Sequence, residues 1–149
     1  MLDHGNLTIE YRSHDSDTLD VTVRAANGRF AASASPMLEL GALSSLAKVL
    51  GDFPDASPIE CRLGLTDLDR VILTFFEIGR ARHAAVRVQV SSPRWVGPDD
   101  ESLQESADFV LRTDQAVIDR ARKQLRRLER RKSGIVMLAG VDPTQAADS

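Results

Sequence analysis

From Thr18 the chain alternates: Leu19, Val21, Val23 and Ala25 fall on one side and Asp20, Thr22 and Arg24 on the other. Period two is the signature of a half-buried strand. Asn27-Gly28 follows, the dipeptide favoured in two-residue hairpin turns because both central positions need positive φ. Pairing Ala26 with Arg29 sets Ala25 opposite Phe30, Val23 opposite Ala32 and Val21 opposite Ala34, so the apolar residues of both strands share a face. A hairpin over Thr18 to Ser35 is therefore predicted. A short strand over Leu7 to Arg12 precedes it.

The period then lengthens. Ser35-Pro36 reads as an N-cap hydroxyl followed by proline at the first helical position. Leu40, Leu43, Leu46, Ala47 and Leu50 form a helical stripe, with Gly51 placed to end it in the left-handed conformation and Pro54 just beyond. A helix of about four turns is expected, packed on the sheet. Strands follow over Ile59 to Leu65, Arg70 to Ile78 and His83 to Val90, separated by short polar turns that imply antiparallel neighbours. The second carries apolar residues of both parities, which suits a central strand. Ser91 to Ser102, with two prolines, Gly97 and Asp99-Asp100-Glu101, reads as an exposed loop. Ala107, Phe109 and Leu111 alternate once more. A second helix runs from an N-cap at Thr113 or Asp114 through Lys132 and ends at Gly134, with Val117, Ile118, Ala121, Leu125 and Leu128 as its apolar stripe.

This order predicts an α+β fold: a mainly antiparallel twisted sheet of about six strands, with two amphipathic helices packed on one face. One domain is expected over 1–134, with 135–149 as a C-terminal tail that opens on the unpatterned apolar run Ile135-Val136-Met137-Leu138. The length of 149 residues suits a single domain, and 42% hydrophobic with 28% charged residues is the composition of a globular chain. The first residues lack the basic segment and apolar run of a secretory signal, and no stretch is long enough to span a membrane. Cytoplasmic residence is the expectation.

Charge changes the picture. The net formal charge is only −3, yet Arg120, Arg122, Lys123, Arg126, Arg127, Arg130, Arg131 and Lys132 crowd into the last helix. Without these eight and Glu129, 11 basic residues face 21 acidic ones, a formal charge of −10. The helical wheel sets all but Lys132 opposite the apolar stripe. Such a face, centred on Arg122, Lys123, Arg126, Arg127 and Arg130, suits phosphates or an acidic protein; alternatively it is a solvated face whose basic end complements the helix dipole.

Catalytic signatures are scarce. His4, His14 and His83 show no His-x-x-x-His spacing, and the single Cys61 forms no Cys-x-x-Cys pair, so no metal site and no cofactor is expected. His14-Asp15-Ser16-Asp17 reads as a turn, as do Asp67 and Asp69. Cys61 lies between Ile59 and Leu63 at period two and reads as a buried thiol rather than a nucleophile. No Gly-x-Ser-x-Gly elbow, P-loop or Gly-x-Gly-x-x-Gly cradle occurs. Trp95, the sole tryptophan, stands beside Asp99, Asp100 and Glu101, a hot-spot residue next to charges that steer a basic partner; tucking onto the sheet edge is the other reading.

The hairpin from Thr18 to Ala34, the helix ending at Gly51-Asp52-Phe53, the two strands after it and Phe109-Val110-Leu111-Arg112-Thr113-Asp114-Gln115 leading into the last helix resemble the WapI-type immunity and related uncharacterised bacterial proteins. The resemblance spans roughly Thr18 to Leu128; the arginine-dense helix and the segment beyond Gly134 depart from it. It implies a small cytoplasmic protein that neutralises a toxin, typically a nuclease domain, by stoichiometric binding without catalysis. The expected function is a non-enzymatic binding module whose Trp95, Asp99, Asp100 and Glu101 surface meets a basic protein, with nucleic-acid or phosphate binding by the basic helix as the alternative.

Overall fold

The computed structural model describes residues 5–65, 68–79, 83–96 and 101–140 of the chain. The α+β expectation is met, but in two sheets rather than one: nine strands and two helices lie within the described residues. Strands β1 (Asn6–His14), β2 (Thr18–Ala26), β3 (Ala31–Ala34) and β4 (Met37–Glu39) precede helix α1 (Ala42–Leu50). A meander of β5 (Ile59–Leu63), β6 (Arg70–Glu77), β7 (His83–Val96) and β8 (Glu101–Asp114) leads to helix α2 (Gln115–Arg131) and β9 (Ile135–Ala139). The first sheet has the order β3-β2-β1-β9 with β4 also on β2, and the second is β5-β6-β7-β8. Every pairing is antiparallel. Each strand buries one face, and Leu7, Ile9, Val21 and Leu138 of one sheet join Leu73, Phe75, Val86 and Leu111 of the other in one core. Alternation shows that a strand has an inner face; it does not show which sheet the strand joins, and hence two sheets read as one.

Ile135–Ala139, which the sequence leaves in a tail, is a sheet strand on the far side of β1, with Ile9 opposite Val136. Val136, Leu138 and Ala139 are fully buried there. β6 does lie inside its sheet, with Val71, Leu73 and Phe75 buried, whereas Ile72 and Phe76 are half-buried on the outer face.

The β2–β3 hairpin keeps the predicted faces but not the predicted pairing. Ala26 pairs with Ala31 and Val23 with Ala34, two residues beyond the two-residue-turn register. A shift of two preserves side-chain parity. The longer turn is closed by the side chain of Asn27, whose Oδ1 accepts from the Arg29 and Phe30 amides at 3.0 and 2.8 Å. Its Nδ2 donates to the Val110 carbonyl at 3.2 Å, tying the turn to β8. Phe30, whose carbonyl accepts from the Asn27 amide at 3.0 Å, stacks on Phe109 with centroids 6.3 Å apart.

Ser35-Pro36 does not begin a helix. The chain passes from β3 into β4, which lies along the remainder of β2 with Leu38 opposite Leu19, both buried. An open strand edge and a buried leucine outweigh a local capping preference, and Pro36 sits where the two short strands change over, so its missing N–H interrupts nothing. Helix α1 is accordingly nine residues, not four turns, and starts after Gly41. Leu40 lies outside it and is exposed. Gly51 is not left-handed either: its φ is −63°, and the chain continues through further tight turns. A Cβ there would lie 2.8 Å from Nη2 of Arg122 and 3.0 Å from the Lys48 carbonyl, so a larger residue would displace the guanidinium.

Helix α1 packs on α2, and the buried Leu43, Leu46 and Leu50 contribute on the order of 1.5–3 kcal/mol each. Its N-cap residue, Gly41 at φ 95°, has no side chain to offer. Glu129 of α2 serves instead: its Oε1 accepts from the Gly41 and Leu43 amides at 2.8 and 3.2 Å, and its Oε2 accepts from the Ser44 hydroxyl. At the other end Nε of Arg122 donates to the Ala47 carbonyl at 3.3 Å. Seven residues, two helical turns or about 10.5 Å, separate Arg122 from Glu129. They therefore bracket an antiparallel α1, anion at its positive end and cation at its negative end. α2 is capped locally, Asp114 accepting from the Val117 amide at 2.9 Å and Lys132 closing the helix at φ 53°.

Glu129→Ala should cost about 2–4 kcal/mol in urea unfolding, because it strands three donors at a helix terminus. Arg126→Ala, on the exposed face of the same helix, should stay within roughly 0.5 kcal/mol. Equal losses in the two variants would contradict the bracket.

Candidate functional site

The strands β7 and β8 are the longest of the fold, 14 residues each, and pair throughout, from His83 opposite Asp114 to Val96 opposite Glu101. β6 accompanies β7 only as far as Arg70 opposite Ser91. Beyond that point, among the described residues, the two arms pair only with each other. Of the segment Ser91 to Ser102, expected as a loop, residues 91–96 and 101–102 are thus arms of a two-stranded ribbon, and 97–100 lie outside the described residues. Pro93 is accommodated in a strand because it stands opposite Gln104 on an arm that β6 no longer accompanies, where a missing N–H is tolerated.

Two contacts hold the ribbon at its base. Asp69 accepts from the Ser92 hydroxyl with one oxygen and from the Ser35 amide with the other, at 2.8 Å, so one carboxylate joins both sheets. Arg87 of β7 grips Asp108 of β8 with both ends of its guanidinium, Nε to Oδ1 at 2.9 Å and Nη2 to Oδ2 at 2.6 Å. The hydrogen bonds from Arg87 hold the Asp108 carboxyl below the usual carboxylate range, and Asp108 raises Arg87 in turn. Further along, Trp95 stands on the β7 arm opposite Ser102, and Glu101 on the β8 arm opposite Val96. Asp99 and Asp100 lie outside the described residues.

The basic helix is divided by the fold. Lys123, Arg126, Arg127 and Arg130 are exposed, as is Arg131. Arg122 is not part of that surface; it is half-buried against the C-terminus of α1 and 3.8 Å from Asp119. Glu129, which caps α1, is the structural carboxylate missed in the sequence. The signal was present, since a lone acid among arginines beside Leu125 and Leu128, seven residues after Arg122, flanks the apolar stripe rather than the solvent face.

The other candidates are structural. Asp15 accepts from the Asp17 and Thr18 amides at 2.8 and 2.7 Å, and those bonds hold its carboxyl below the usual range. His14 bonds the Tyr11 hydroxyl at 2.8 Å, and His83 lies 3.3 Å from a guanidinium nitrogen of Arg112. His4 and Asp67 lie outside the described residues. No group of three potential metal ligands occurs among the described residues. An open cleft of about 460 Å³ between Arg12, Asp20, Met37 and Leu68 has its carboxylates engaged, Asp20 by Ser13 at 3.0 Å and Asp69 as above. A smaller pocket of about 170 Å³ between α2 and β9 is walled by Val117, Ile135 and Met137, with Gln124 bonded to the Met137 amide at 3.4 Å. Cys61 is buried on the inner face of β5, and burial, with Glu60 adding to it, pushes its thiol up to about 11.

No family model, no curated protein and no solved structure matches the chain. No helix among the described residues is long and apolar enough to cross a membrane. What the chain does is therefore read from its own surfaces.

The raised Cys61 thiol has two measurable consequences. At pH 8 its thiolate fraction should be about a hundredfold below that of an ordinary cysteine, so Ellman's reagent should label the native chain slowly and the guanidinium-unfolded chain at once. Because the folded value lies above the unfolded one, the stability linked to this thiol is full below about pH 9 and is lost as the pH rises toward about 11. Rapid labelling of the native chain would mean an accessible, activated thiol.

Proposed function

We propose that the chain is a non-enzymatic bacterial binding module, immunity-like in action, that takes up one basic protein domain through the end of the β7–β8 ribbon. The observation that carries this reading is the ribbon itself, two arms that run on past the sheet after Ser91 with Trp95 on one and Glu101 on the other. A two-stranded arm stapled at its base by Asp69 and by the Arg87–Asp108 pair arrives at a partner already ordered, so little conformational entropy is lost on binding. Tryptophan provides a large anchor with few rotors, and Asp99, Asp100 and Glu101 beside it attract a basic surface over the last nanometre of approach. The formal charge of −8 carried outside α2, 12 basic against 20 acidic residues, acts in the same sense. A toxin or nuclease domain, basic because it handles nucleic acid, is the class of partner that fits.

Affinity capture on the tagged chain from lysate of its native cell, with nuclease added, should yield one stoichiometric polypeptide. Reversal of Asp99, Asp100 and Glu101 to lysine should then weaken that complex at least tenfold, mainly through a slower association rate at low salt, and Trp95→Ala should raise the dissociation rate by a similar factor. Unchanged affinity in both variants removes the ribbon from the interface.

A further inference from the structure

The fold accounts for three of the eight cations that the sequence crowds into α2. Arg122 closes the C-terminus of α1, Nζ of Lys132 donates to the Glu129 carbonyl at 2.7 Å, and Arg120 lines the pocket against β9. Lys123, Arg126, Arg127, Arg130 and Arg131 remain, all exposed, with no ion pair or hydrogen bond to any described residue. Glu129 is turned inward onto α1, and the other acid of α2, Asp119, lies one turn before Lys123 and pairs with Arg122 at 3.8 Å. Lys123, Arg127 and Arg131 thus follow one another at i, i+4 beside the pair Arg126 and Arg130. Like charges at that spacing oppose helix formation. Arg130 and Arg131 in the last turn complement the helix dipole, but the mutual repulsion along the face works against the isolated fold.

We propose that this face of α2 binds the phosphate backbone of a nucleic acid. Four of the five cations are arginine, whose planar fork matches phosphate oxygens in pairs. The cations cover about 12 Å of helix, the axial length of three to four phosphates on one strand. An acidic protein fits less well. A stable protein interface needs an apolar or aromatic centre, and positions 123, 126, 127, 130 and 131 supply none. Phosphate oxygens are alike at every step of the backbone, so contacts confined to them carry no sequence preference. The site is separate from the ribbon, and either assignment can fail without the other.

The test uses the full chain and a fluorescently labelled 24-nucleotide DNA, single-stranded and as a duplex, with anisotropy read at 50 and 200 mM salt. Three to four phosphate contacts should make affinity fall roughly 20- to 150-fold between those salts across the two forms. Arg126→Glu, Arg127→Glu and Arg130→Glu together should abolish binding, and the milder triple change to glutamine should reduce it at least tenfold with the far-ultraviolet dichroism unchanged. No binding at 50 mM salt overturns the proposal, as does wild-type affinity in the glutamine variant. Poly-glutamate competing as well as DNA at equal charge would also overturn it and reassign the face to acidic proteins.

Discussion

The carboxylate of Glu129 is the constraint from which the arrangement of the two sheets follows. Helix α1 carries the chain from the first sheet to the second, entered from β4 and left toward β5. Nine residues are too few to hold a helix together unaided. Its N-terminus has no local cap, so its orphan amides must find an acceptor elsewhere, and they find it on α2. Since α2 also packs on β8 and β9, one from each sheet, fixing α1 to α2 fixes the junction of the sheets. The Thr113 hydroxyl bonded to the Leu138 carbonyl at 2.9 Å and the Asn27 amide bonded to β8 extend the same tie. Glu129 is expensive to bury, and it is retained where three donors meet it.

Much of this was legible in the chain, and what was not had a common cause. Helix α2 and its stripe, the meander and the inner faces of β2 and β3 follow from periodicity, because one buried face repeats in one element. The failures are places where a distant segment decides. Ser35-Pro36 reads as a helix start until the open edge of β2 is known, and Pro93 reads as a loop until β8 is known to lie beside it. Asn27 chose a longer turn because its side chain serves the turn and Val110 at once. The candidate surfaces divide in the same way. Exposure of Arg126 and Arg130 is local and was readable, whereas the diversion of Arg122 and Glu129 to α1 depends on a helix some 80 residues earlier.

That diversion sharpens the charge pattern of the molecule. An average over α2 counts Glu129 against the arginines and Arg122 with them, but both are consumed inside the fold. The exposed face from Lys123 to Arg131 carries one sign of charge, while the rest of the chain carries the other in excess. Polarity of this kind orients a molecule in the field of a charged partner before contact.

The pairing of β1 with β9 also bears on how the fold is reached. Leu7 meets Ala139 across the first sheet, a contact between residues about 130 positions apart. The meander needs only short links and can assemble early, whereas the first sheet lacks its last strand, and α1 its cap, until the segment from Glu129 to Ala139 is in place. During synthesis the chain therefore carries an unfilled strand position beside β1 until that segment leaves the ribosome. Its period of greatest risk of pairing with the wrong neighbour ends only when β9 is in place.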